Sequence, residues 1–78
     1  MKNEQIKLFD VVALTEDLPQ DNLGRGQVGT VVEILADGTA FEVEFNDTNG
    51  RSFISLGLRP EQIMLLHFEP ISSYSNIV

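Results

Sequence analysis

The sequence predicts a small all-β domain whose five short strands close on themselves around one core, and three observations predict it. Runs dense in β-branched and aromatic residues recur at short intervals, as in Thr30-Val31-Val32-Glu33-Ile34-Leu35 and Ala40-Phe41-Glu42-Val43-Glu44-Phe45. Turn formers separate them, notably Gly24, Gly26, Gly29, Asp37-Gly38 and Asn49-Gly50. No stretch carries the apolar spacing of an amphipathic helix. A chain of 78 residues has material for one hydrophobic core, so residues 1–78 are read as one domain, with a core at about residues 8–68 and a tail over 69–78.

Phe9-Asp10-Val11-Val12-Ala13-Leu14 reads as the first strand, and Thr15 to Asn22, with Pro19 among acids and amides, as a long loop. Gly24 to Gly29 lead tightly into a second strand over Thr30 to Leu35. Asp37-Gly38 then suits a hairpin turn with positive φ. In the third strand, strict alternation places Phe41, Val43 and Phe45 on the core face and Glu42 and Glu44 on the wet face. Asn46 to Gly50 forms a second turn, and Arg51 to Leu56 a fourth strand. Pro60 has no N–H to give to a ladder, so Gly57 to Ile63 is expected to leave the strand for a short helical turn, before a fifth strand over Met64 to Phe68. A long loop after the first strand and a helical turn before the last are the layout of a five-stranded SH3-like barrel, which hides its sheet edges by closing. The tail, with Pro70, three serines and Tyr74, is expected to be loosely held unless Ile71, Tyr74, Ile77 and Val78 pack on the barrel.

Composition narrows the function. Without cysteine there is neither a disulfide framework nor thiolate ligands for a structural zinc, which leaves oligomerisation as the available reinforcement for so small a core. The polar start Met1-Lys2-Asn3-Glu4-Gln5 and the lack of a long apolar run predict a cytoplasmic protein without a membrane anchor. Twelve acids against five bases give a net charge of −7, which disfavours phosphate backbones and therefore nucleic acid. The bases do not cluster: Lys2 and Lys7 are N-terminal, and Arg25, Arg51 and Arg59 are far apart. A protein partner with a basic surface is the electrostatic complement; an acidic surface kept for solubility is the competing reading.

The stretches Leu14-Thr15-Glu16-Asp17-Leu18-Pro19 and Gly26-Gln27-Val28-Gly29-Thr30-Val31-Val32, followed by Phe41-Glu42-Val43-Glu44-Phe45, resemble a family of short bacterial proteins, common in cyanobacteria, called domain of unknown function 4926. The resemblance spans roughly residues 8–66 and implies an SH3-like barrel, with no assigned activity and no catalytic residues to carry over. More loosely, Gly29-Thr30-Val31-Val32 and Leu58-Arg59-Pro60-Glu61-Gln62-Ile63 are similar to segments of ribosomal and elongation-factor barrels and of ferredoxin-docking subunits. The net charge has the wrong sign for meeting either nucleic acid or an acidic ferredoxin.

Individual motifs point away from catalysis. Gly24-x-Gly26-x-x-Gly29 spells a dinucleotide fingerprint but opens a strand, so no helix N-terminus receives a pyrophosphate; its glycines are expected to supply positive φ and close backbone approach. Asp47-Thr48-Asn49-Gly50 lacks the further ligands of a calcium loop, and Asn46-Asp47-Thr48 is a glycosylation sequon by spelling alone. His67, the single histidine, has no second His or Cys with which to share a metal and reads as a barrel-rim residue. The serines at 72, 73 and 75 have no base nearby. No catalytic residue, metal or cofactor is therefore expected.

What remains is binding. Asp10, Glu16, Asp17 and Asp21 surround the first loop, Leu18 and Pro19 sit at its tip, and Glu42 and Glu44 share one strand face. These residues are the expected contact region for a basic protein, in the manner of an acidic antitoxin or immunity protein, with Phe53 or Tyr74 as further apolar anchors. The alternative is an accessory subunit held permanently in a larger complex, structural or redox-linked, through one hydrophobic face. Homo-oligomerisation is compatible with either.

Overall fold

The computed structural model describes residues 5–46 and 53–67. The turn expected at 46–50 and the tail at 69–78 lie wholly or mostly outside these residues. Five strands, β1 (Val11–Leu14), β2 (Val28–Leu35), β3 (Ala40–Asn46), β4 (Phe53–Leu58) and β5 (Ile63–Leu65), pair antiparallel in the order β4-β3-β2-β1-β5. Helical structure among the described residues is limited to three short 3-10 turns. The two edge strands contribute Leu58 and Ile63 to one core cluster with Val12, Val31, Val43 and Phe45, so the open sheet is curled around a single interior. This is the all-β architecture of a small SH3-like barrel.

Alternation in β3 is as the sequence dictates: Phe41, Val43 and Phe45 are buried, while Glu42, Glu44 and Asn46 are not. The β2–β3 hairpin turns at Asp37 (φ 58°) and Gly38 (φ 89°), closed by the Thr39 N–H donating to the Ala36 carbonyl at 3.1 Å. Gly29 is present for close approach. A Cβ there would lie 2.8 Å from the Glu44 carbonyl oxygen and from the Phe45 ring.

Strand boundaries differ from the sequence reading at several points: β2 already begins at Val28 rather than Thr30, and β3 extends one residue further, to Asn46. β4 runs on to Leu58 because Gly57 and Leu58 still pair with Glu42 and Phe41; the ladder ends only as Pro60 opens the 3-10 turn Pro60–Gln62. β5 begins at Ile63 and stops at Leu65. β1 begins at Val11 rather than Phe9, because Phe9 has φ 71° and leaves the extended region.

That last difference belongs to a device used twice. Residues 7–10 form a turn in which the Asp10 N–H donates to the Lys7 carbonyl at 3.0 Å and the Lys7 N–H donates to Asp10 Oδ2 at 2.8 Å. Phe9 and Asp10 then bulge against Val31: the Phe9 N–H donates to the Val31 carbonyl at 2.7 Å, and the Val31 N–H to the Asp10 carbonyl at 2.9 Å. At the other end of the β1–β2 pair, residues 24–27 repeat the pattern, Gln27 taking the place of Asp10. There Gly26 and Gln27 bulge against Leu14, with bonds of 2.8 and 2.9 Å. The bulge of this type places its first residue in the left-handed region, where glycine is free and a bulky residue is strained by about 1–2 kcal/mol. Gly26 (φ 89°) follows the rule and Phe9 breaks it.

A third irregularity lies inside β2. Val31 pairs with Val43 and Glu33 with Glu42, so Val32 is an extra residue without a partner of its own. Beyond it the phase of β2 shifts by one position, which aligns Glu33 with the outward Glu42 and Ile34 with the inward Phe41.

Candidate functional site

The first loop is not a solvated loop with an apolar tip. Leu18 is only 6% exposed and belongs to the core, where it pairs with Leu23 through Leu18 N–H to Leu23 carbonyl (2.9 Å) and the reciprocal bond (3.2 Å). Leu18 is thus turned inward and offers no anchor to a partner. Pro19 is exposed and starts the 3-10 turn Pro19–Asp21, whose Asp21 is half-buried.

Three of the acids predicted there have structural bonds. Asp10 caps the 7–10 turn. Asp17 Oδ1 accepts the Arg25 N–H at 2.7 Å, which fixes the turn leading into β2. Glu16 Oε2 accepts from Gln62 Nε2 at 2.9 Å, and Gln62 Oε1 accepts the Arg59 N–H at 2.8 Å. Thr15 adds two bonds to the same segment, from its N–H to the Gln62 carbonyl (2.9 Å) and from its Oγ1 to the Glu61 carbonyl (2.7 Å). Buried Gln62 therefore clasps the first loop to the last 3-10 turn. No sequence signal marks a bond across 46 residues, although its place in a Pro-initiated turn marks Gln62 as a capping residue.

Beside this clasp, the Arg59 Nε donates to Glu61 Oε2 at 2.8 Å. That hydrogen bond, with the guanidinium charge, holds the Glu61 carboxyl below its usual range and raises Arg59. Both side chains are exposed, so the pair adds little to stability.

Glu42 and Glu44 lie on the outer sheet face, as alternation predicts, and the extra residue Val32 brings Glu33 to the same face, opposite Glu42. Glu44 stands between Thr30 and Ser55, and Glu42 between Glu33 and Gly57. The Ser55 hydroxyl donates to Glu42 Oε2 at 2.5 Å, and Glu42 Oε1 lies 3.7 Å from where a Cβ on Gly57 would stand. Like charges placed directly across a ladder oppose pairing. Among the described residues, no basic side chain forms an ion pair with Glu33, Glu42 or Glu44.

Glu16, Asp17 and Asp21 do not share a surface with Glu33, Glu42 and Glu44, whereas Asp10 stands against Val31, two residues before Glu33. Gln27 lies against Leu14, where the first loop begins, and Glu33 is six residues further along β2. At about 3.3 Å per residue this is roughly 20 Å.

The outer face of β2, β1 and β5 has a different character. Val28 (52% exposed) and Met64 (54%) stand on either side of Ala13, with half-buried Val11 on the same face. His67 is exposed just beyond β5. Among the described residues, no three His, Asp or Glu side chains converge as metal ligands, and no helix is long and apolar enough to cross a membrane.

Comparison with known proteins gives one result. A family model described as "Domain of unknown function (DUF4926)" matches residues 8–65. No curated protein and no solved structure matches the chain.

Proposed function

The chain belongs to the family described as domain of unknown function DUF4926, and from that premise we propose that it is a non-catalytic binding module whose outer sheet face receives a basic protein surface. The observation that carries this reading is the facing pair Glu33 and Glu42, with Glu44 beside them. A fold selected for stability alone gains nothing from two carboxylates directly opposite one another. A lysine- or arginine-rich partner offsets that repulsion on binding, and the negative field speeds encounter. A partner of the antitoxin or immunity kind, covering a basic protein, is the form of this reading that the charge favours.

The test compares two triple variants for capture of proteins from native extract at low and moderate salt. Glu33, Glu42 and Glu44 changed to Lys should abolish capture of the salt-released partner, whereas Glu16, Asp17 and Asp21 changed to Lys should leave more of it. Undiminished capture by the sheet-face variant sinks the assignment.

A second reading, an accessory subunit of a larger assembly, is favoured by the apolar strip formed by Val28, Ala13 and Met64. Such a subunit should migrate with a salt-resistant assembly in extract, and Val28→Lys with Met64→Lys should release it. A chain that elutes alone from extract excludes this reading.

A further inference from the structure

The two bulges that bracket β1 and β2 have the same hydrogen bonds, yet one is built on Gly26 and the other on Phe9. Backbone strain argues against a phenylalanine there, and core packing does not account for it, because Phe9 is 69% exposed. An aromatic ring kept in solvent on a strained backbone points to a contact made outside the chain. Leu8, beside it, is also exposed.

Close to this knob is a hole. Gln5, Ile6, Ile34, Gly38, Phe41 and Pro60 line a half-open cleft of about 220 Å³. An apolar cavity of about 150 Å³ is enough to take up a benzene ring. Ile34 is 43% exposed in this cleft, on the side to which the shift at Val32 assigns it.

We propose that two copies of this chain pair by reciprocal insertion of Phe9 into the cleft formed by Ile6, Ile34, Phe41 and Pro60. Two features favour a second copy over an unrelated partner. Phe9 is three residues from Ile6, so at most about 11 Å of chain separates knob from hole. Knob and hole are therefore near enough in the backbone to belong to one two-fold interface, where each copy gives and receives the same contact. In addition, Glu33, Glu42 and Glu44 lie on the other face of the sheet from Phe41. Pairing through the cleft keeps those carboxylates apart and leaves their face open. The pairing stands independently of the partner proposed above.

Sedimentation equilibrium of the full chain, at salt sufficient to screen its net charge, tests this directly. The wild type should form dimers, while Phe9→Gly, which lacks the knob, and Ile34→Glu, which lacks the hole, should each be monomeric. Mixing the two variants should restore a heterodimer, because the Phe9 of one meets the intact cleft of the other. Phe9→Gly is expected to fold normally and keeps the test decisive even if Ile34→Glu does not fold. A wild type that stays monomeric up to roughly 1 mM, the weak end of specific association, overturns the proposal. So does a Phe9→Gly dimer of undiminished affinity, or a mixture that associates no more than its components.

Discussion

Replacing Phe9 by glycine should leave the fold about as stable as it is now, and replacing it by alanine should be worse than glycine. At an ordinary position the order is reversed, since glycine in an element interior is about 0.5–1 kcal/mol less favourable than alanine. At φ 71° the left-handed backbone penalises any Cβ by about 1–2 kcal/mol, which glycine escapes and alanine does not. The glycine's extra unfolded-state freedom takes back about 0.5–1 kcal/mol. The ring itself contributes little. Full burial of a phenylalanine is worth about 1.5–3 kcal/mol, and Phe9, 69% exposed, retains about a third of that. The sum leaves Phe9→Gly within about 1 kcal/mol of the wild type and above Phe9→Ala by about 0.5–1 kcal/mol. Urea unfolding followed by circular dichroism reads this as a midpoint higher by roughly 0.5–1 M for glycine, given a slope near 1 kcal/mol/M for so small a domain. The measurement belongs at low protein concentration, where association does not add to stability. Gly26→Ala supplies the control, because nothing lies within 4 Å of a Cβ there and only the backbone responds. A Phe9→Ala variant as stable as Phe9→Gly would refute the assignment of strain to this bulge.

Three further outcomes are expected. Gly29→Ala should destabilise by about 1–3 kcal/mol, because its Cβ meets the backbone carbonyl of Glu44 at 2.8 Å and that atom cannot swing away; thermal unfolding checks it. Gln62→Ala should cost about 1–3 kcal/mol by leaving the Arg59 N–H and Glu16 without their partner, and a cycle with Glu16→Ala should show coupling between the two. Glu61 should titrate below the usual glutamate range by NMR and rise toward it in Arg59→Ala, which removes the largest cause of the lowering, the side-chain hydrogen bond, and leaves the backbone one. Because its folded value is depressed, the small stabilisation it gives is present above the unfolded-state value and disappears as pH falls through the folded one; an unshifted Glu61 contradicts the pairing.

What could be read in advance divides along physical lines. Phe41, Val43 and Phe45 were legible because a strand alternates regardless of its neighbours, and Asp37-Gly38 because positive φ has few tenants. Gly26 and Gly29 fulfil the two uses expected of that glycine cluster, and Pro60 starts its turn where its missing N–H requires one. Phe9 misleads because an aromatic before Val11-Val12 has the composition of a strand start, and nothing local announces the bulge. Leu18 looks like a loop tip until Leu23 pairs with it and both enter the core. Glu33 is the most instructive. Alternation from Val31 assigns it to the interior, and only the pairing with β3 reveals the extra residue that brings it opposite Glu42.

That extra residue has its own consequence. A chain lacking Val32 would still set Val31 against Val43, Glu33 against Glu42 and Ile34 against Phe41, with plain alternation and no interruption. Val32 is therefore dispensable to the chemistry of either face and bears only on shape: inserting it bends β2 and adds twist. Val32 is thus one of three irregularities that bend the sheet, and it stands two residues before Ile34, which lines the cleft with Pro60. Length variation at this one point offers a way to reshape the sheet beside that cleft while every side chain keeps the face it has now.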